Sequence, residues 1–176
     1  MSKLAICLLG IILLCSCSTQ TVIEPDVLAW GTSREKVEQT LNMDLIEKTK
    51  NELKYNTPTD IGEKAEIYYS FDDKNNGLQA FTKIIDFKYA SEIDHQKRLE
   101  NLNLVYEQYK NKYGPGTYTK DKEFEGYSWE LENKLVRVIL SEGTPESVFV
   151  AYYNPDYVKN FKAIESHPIK QHSVNE

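Results

Sequence analysis

All three cysteines of this chain, Cys7, Cys15 and Cys17, fall within its first seventeen residues. Nothing beyond Cys17 can be cross-linked to itself, so whatever folds there is held by a hydrophobic core alone. Exported domains often rely on disulfides instead. Apolar residues make up 40% of the 176. That is sufficient for one domain of ordinary size, or for two small lobes that share a core.

The hydrophobic pattern then predicts helix, strands, helix, strands. Trp30-Gly31-Thr32-Ser33-Arg34-Glu35 opens the folded part, with Thr32 and Glu35 spaced as a capping box. Val37 and Leu41 give a short helix one apolar edge, and it stops near Asn42. Strands follow at Leu45–Lys48 and Leu53–Tyr55. A clearer one at Ala65–Phe71 alternates Ala65, Ile67, Tyr69 and Phe71 with Glu66, Tyr68 and Ser70, the pattern of a half-buried strand. The run Asp72-Asp73-Lys74-Asn75-Asn76-Gly77 ends in the Asn-Gly of a hairpin. In the returning strand, Leu78–Tyr89, Phe81, Ile85 and Phe87 take one face while Leu78, Ala80 and Ile84 take the other. A bulge or burial of both faces accounts for this.

Ser91 with Asp94 starts the longest helix, where Leu99, Leu102, Tyr106, Tyr109 and Tyr113 recur at three and four residues as a buried stripe. Gly114 and Pro115 end it. Strands follow around Thr117–Lys120, Phe124–Leu131, Lys134–Leu140 and Ser147–Tyr153, with turns at Glu132-Asn133 and Glu142-Gly143. Pro155 opens a last short helix with Tyr157, Phe161 and Ile164 on one side. The expected fold class is α+β: two tandem helix-plus-antiparallel-meander units, with helices packed on one face of antiparallel sheet. They form a single domain over residues 26–165, with lobes at about 26–90 and 91–165, before a disordered polar tail at 166–176.

The amino terminus has the three regions of a secretory signal: Lys3, the apolar run Leu4 to Leu14, and small Ser16 before the cut. As a helix at ~1.5 Å per residue that run covers about half of a ~30 Å hydrocarbon core, so it is too short to span. Leu14-Cys15-Ser16-Cys17 resembles the lipobox of bacterial lipoproteins: a Leu, any residue, a small residue and Cys. The resemblance implies a signal peptide at residues 1–16, cleavage after Ser16, diacylglycerol on the sulfur of Cys17 and acylation of its new amino group. Cys15 is the competing acceptor, but Leu14 stands before it where the motif has a small residue. An ordinary secretory signal cut elsewhere, or an uncleaved apolar tail, would leave Cys17 as a spare thiol. Ser18 after the anchor, by resemblance to diderm lipoproteins, implies export to the outer membrane. The linker Ser18 to Pro25, within the lipidated stretch 17–25, reaches at most ~26 Å, so the domain sits close to its membrane.

Trp30-Gly31-Thr32 opening a helix with Val37 and Leu41, and Lys112-Tyr113-Gly114 closing the second, resemble the small outer-membrane assembly lipoproteins of the BamE/SmpA type. They also resemble the tandem-repeat β-lactamase inhibitor protein that shares their fold. Those lipoproteins usually have Gly after the helix-ending Leu and two helices before the sheet, whereas Asn42 follows Leu41 here.

No residue pattern announces a reaction, and no catalytic residue, metal ligand or cofactor is expected. His95 stands on the first turns of the long helix, and His167 and His172 in the tail, none with a partner at ligand spacing. Asp72 to Gly77 departs from a calcium loop at Lys74 and reads as a turn. Glu123 and Glu125 are spaced for acid and base roles, but alternation suggests a solvated strand face. Without Lys3 the mature chain carries 20 basic against 27 acidic residues, a charge of −7 with no long single-sign block. That argues against nucleic acid.

The outer strand positions are the remaining signal. Tyr69 goes inward with Ile67 and Phe71, leaving Tyr68 outward; Tyr152 inward leaves Tyr153 outward, although Phe149 competes for the core. Tyrosine suits contact surfaces, so Tyr68 and Tyr153 are the candidate binding surface. Each ring, taken alone, also reads simply as cover for its neighbours. Three classes remain open: a membrane-anchored module binding or scaffolding an envelope protein, which is the favoured reading; an anchored inhibitor or small-ligand carrier; and an enzyme with a site built from scattered residues.

Overall fold

The computed structural model describes residues 28–41, 43–87, 95–122, 124–144 and 146–161. Among these described residues lie three helices, α1 (Arg34–Thr40), α2 (His95–Tyr113) and α3 (Pro155–Phe161). The strands are β1 (Leu45–Lys48), β2 (Glu52–Thr57), β3 (Lys64–Phe71), β4 (Leu78–Asp86), β5 (Thr117–Lys120), β6 (Phe124–Leu131), β7 (Lys134–Ser141) and β8 (Ser147–Tyr153). They form a single eight-stranded sheet in the order β1-β2-β3-β4-β8-β7-β6-β5. Every neighbouring pair is antiparallel.

This corrects the expected α+β arrangement of two helix-plus-meander units. The molecule is mostly sheet, and its helices have 7, 19 and 7 residues. The physical reason is the pairing of β4 with β8, from Ala80↔Tyr153 to Asp86↔Ser147, which merges all strands through backbone hydrogen bonds. A short apolar stripe such as Val37 and Leu41 announces a helix without showing how little of the architecture it supplies.

The core lies on one face of the sheet, here called the inner face. Tyr55, Tyr69, Phe81 and Tyr152 run across β2, β3, β4 and β8 as an edge-to-face ladder with centroids 5.8, 5.2 and 5.4 Å apart. This arrangement suits the ring quadrupoles. Val37 of α1 and Leu102, Val105 and Tyr109 of α2 pack into the same cluster. The buried stripe of α2 is Asn101, Leu102, Val105 and Tyr109, while Leu99, Tyr106 and Tyr113 flank it half-buried. Val105 continues from Leu102 at three residues and Tyr109 at four, so the axis of the stripe lies one position away from Tyr106.

Local geometry follows from particular residues. Ser33, not Thr32, is the N-cap of α1, its hydroxyl accepting from Lys36 N at 3.4 Å. Thr32 instead donates its hydroxyl to Ala29 O at 2.7 Å. The β3–β4 connection is an Asx turn, since Asp72 Oδ1 accepts from Lys74 N and Asn75 N at 2.8 and 3.0 Å. Asn76 closes it at φ +55°. A bulge lies where Ser70↔Ala80 gives way to Phe71↔Leu78. The extra residue, Gln79, returns Leu78 to the face of Phe81 and Ile85, which resolves the mixed pattern of this strand. Gly114 ends α2 at φ +80°, donating its N–H to Lys110 O at 2.8 Å. The helix start expected at Ser91 with Asp94, the tail and the whole signal and lipidation segment, Ser16 and Cys17 included, lie outside the described residues.

Candidate functional site

Alternation places every second strand residue on the opposite, outer face of the sheet, away from α2. One row across it reads Tyr68, Thr82, Ala151, Arg137 and Ser128 on β3, β4, β8, β7 and β6. The row on one side holds Ser70, Ala80, Tyr153 and Leu135. The row on the other side holds Glu66, Ile84, Phe149, Ile139 and Gly126. Tyr68 and Tyr153 therefore share one face. They stand two strands and one row apart, about 12 Å between Cα atoms at ordinary sheet spacing. Between them lie small side chains, Ala80, Thr82 and Ala151, of which Ala80 and Ala151 are buried. Both tyrosines are half-buried. Phe149, the competitor for the core, belongs to this outer face and is 8% exposed.

Gly126 is required by the close approach of β6 to β7: a Cβ there would lie 2.1 Å from Val138 O. The missing side chain leaves the neighbouring surface to the Phe124 and Ile139 side chains.

Tyr68 is held by charge. Its hydroxyl donates to Glu66 Oε2 at 2.9 Å, Lys54 Nζ pairs with the same oxygen at 2.8 Å, and Lys64 Nζ takes Oε1. Burial alone would raise the Glu66 carboxyl, but the hydrogen bonds from Lys54, Lys64 and Tyr68 outweigh it and hold the group at about 2. The Tyr68 phenol is raised by burial. The Tyr153 phenol is also raised by burial, against the opposing charge of Arg137.

An acid titration should expose this cluster. An unfolded glutamate titrates near 4.5 and the folded Glu66 near 2. Its contribution is therefore complete above about pH 4.5 and is lost as pH falls toward 2. Unfolding free energies from urea titrations are expected to fall between pH 5 and pH 2.5 more for the wild type than for Glu66→Gln, by ~1 to 3 kcal/mol. Parallel pH profiles would show that Glu66 is not the group responsible.

A second constellation forms on the inner face at the β5–β6 end. Glu125 is buried there, accepting from the Tyr118 hydroxyl and from Lys120 Nζ at 2.9 Å, with His95 Nε2 at 3.5 Å. This corrects the solvated position expected for Glu125; Glu123 lies outside the described residues. Period-two counting back from Trp129 and Tyr127 points Glu125 inward, and only its charge suggested otherwise. Nor is His95 the free side chain its spacing suggested. Burial opposes ionisation of Glu125, yet hydrogen bonds from Tyr118 and Lys120 lower its carboxyl. The bond to Glu125 pushes the Tyr118 phenol up to about 12. The adjoining recess, lined by Arg98, Lys120, Glu125 and Glu142 among others, has a volume of about 20 Å³. That is room for about one water. The carboxylate, satisfied by two donors and 3.5 Å from His95 Nε2, lies between the first described turn of α2 and the β5–β6 hairpin.

Among the described residues no three His, Cys, Asp or Glu side chains stand together to hold a metal ion. No helix of the described residues is long and apolar enough to cross a membrane. Comparison with protein-family models, with curated proteins and with solved structures finds no match.

Proposed function

We propose that this chain is a bacterial envelope lipoprotein, anchored through Cys17 in the outer membrane, that acts without chemistry of its own as a protein-interaction or scaffold module. The observation that carries the interaction reading is the outer sheet face. Tyr68 and Tyr153 stand half-buried on one face with the small residues Ala80, Thr82 and Ala151 between them, a surface of contact area rather than of convergent reactive groups. The anchoring part rests on Leu14-Cys15-Ser16-Cys17.

The test is recovery of the partner from solubilised envelope with the native anchor in place. Tyr68→Ala and Tyr153→Ala are expected to keep the melting temperature within a few degrees and to lose the recovered partner. Destabilisation without selective loss of binding would mean that the rings merely cover their neighbours.

A further inference from the structure

Arg137 stands in the middle of the outer face, half-buried between two rings. Its guanidinium carbon lies 5.5 Å from the Phe124 centroid and 5.9 Å from that of Tyr153. Phe124 pairs with Ser141 and Tyr153 with Leu135, so the rings approach from opposite ends of β7. Stacking of this kind steadies a planar cation without using its N–H donors. No Asp or Glu among the described residues forms an ion pair with it. A partly desolvated guanidinium is unfavourable until its charge and donors are matched, and this one is unmatched in a chain of net charge −6.

We infer that the outer face docks a partner protein through one Asp or Glu side chain of that partner. Arg137 takes the carboxylate in a two-pronged pair, and an apolar side chain beside it lies against half-buried Ile139. This rests on the interaction reading above and names the chemistry of the partner. A single carboxylate fits one guanidinium better than an anionic membrane surface does, because Lys54 and Lys64 on this face are already paired with Glu66.

The experiment places a photo-crosslinking amino acid at Thr82, beside Ala151 in the Arg137 row, in the full-length protein within its native envelope. A control copy carries it at Leu104, exposed on α2. Mass spectrometry of the Thr82 adduct is expected to map a segment of another protein containing Asp or Glu. Changing that residue to Asn or Gln, or changing Arg137→Gln, should each weaken binding at least ~10-fold, with the double variant no weaker than either alone. Arg137→Lys, which keeps the charge and loses the fork, should also bind more weakly at unchanged melting temperature. Adducts with a second copy of this chain, with lipid, or with a segment lacking an acidic residue would overturn the assignment. So would unchanged binding by a folded Arg137→Lys or Arg137→Gln. If Leu104 captures a partner and Thr82 does not, the docking face fails while the interaction reading stands; if neither captures a protein, both fail.

Discussion

Cys17→Ser is expected to abolish fatty-acid labelling and to release the chain from the membrane fraction. The effect should be all or none, because the anchoring proposed above puts every acyl chain on one residue. Each buried methylene contributes ~0.8 kcal/mol, and a single myristoyl chain is only marginally held. Two or three chains on Cys17 would anchor effectively permanently, and among the described residues no helix is long and apolar enough to cross a membrane. Cys15→Ser should leave labelling intact. Uptake of labelled palmitate by the Cys17→Ser variant would instead identify another acceptor and sink the lipidation reading.

The second large effect concerns the core. Leu102 of α2 is 1% exposed and packs in one cluster with Val105, Tyr109 and the inner residues of β7 and β8. Truncating it leaves a cavity that a close-packed interior closes only in part, at a cost of ~2 to 5 kcal/mol. For a domain of this size that corresponds to a melting temperature lower by about 10 °C. Leu104, two residues along the same helix, is 55% exposed. Leu104→Ala should change stability by less than ~0.5 kcal/mol. Equal effects at the two positions would mean that α2 does not pack on the sheet through this stripe.

The strands were legible because their side chains alternate, and alternation survives even where both faces are covered. Ala65 to Phe71 shows it plainly. The helix ends were legible in part: Gly114 with Pro115 marks a stop that few other residues could supply, whereas Thr32 and Ser33 both offer a capping hydroxyl. Backbone direction alone chose Ser33. Glu125 was misplaced because charge was weighed above period, although a carboxylate surrounded by Tyr118, Lys120 and His95 is tolerated inside. Arg137 was missed for a related reason. Its ring partners come from Phe124 and Tyr153, thirteen and sixteen positions away, and only the register of β6, β7 and β8 brings the three together. The joining of all strands into one sheet was illegible too, since no local pattern in β4 or β8 names the other as its neighbour.

That joining sets the order in which the chain can fold. Each hairpin within the β1–β4 and β5–β8 runs closes a short loop, but β4 meets β8 only across long separations: 61 positions from Asp86 to Ser147, and 75 from Gln79 to Asn154. Bringing such distant segments together costs closure entropy before any contact rewards it. Pairings of this kind slow folding relative to local ones. Until the two meanders meet, the β4 and β8 edges are open, and each is a template for a strand of another molecule. The interval of greatest exposure to misassociation lasts until β8, the last of the described strands to be made, pairs with β4.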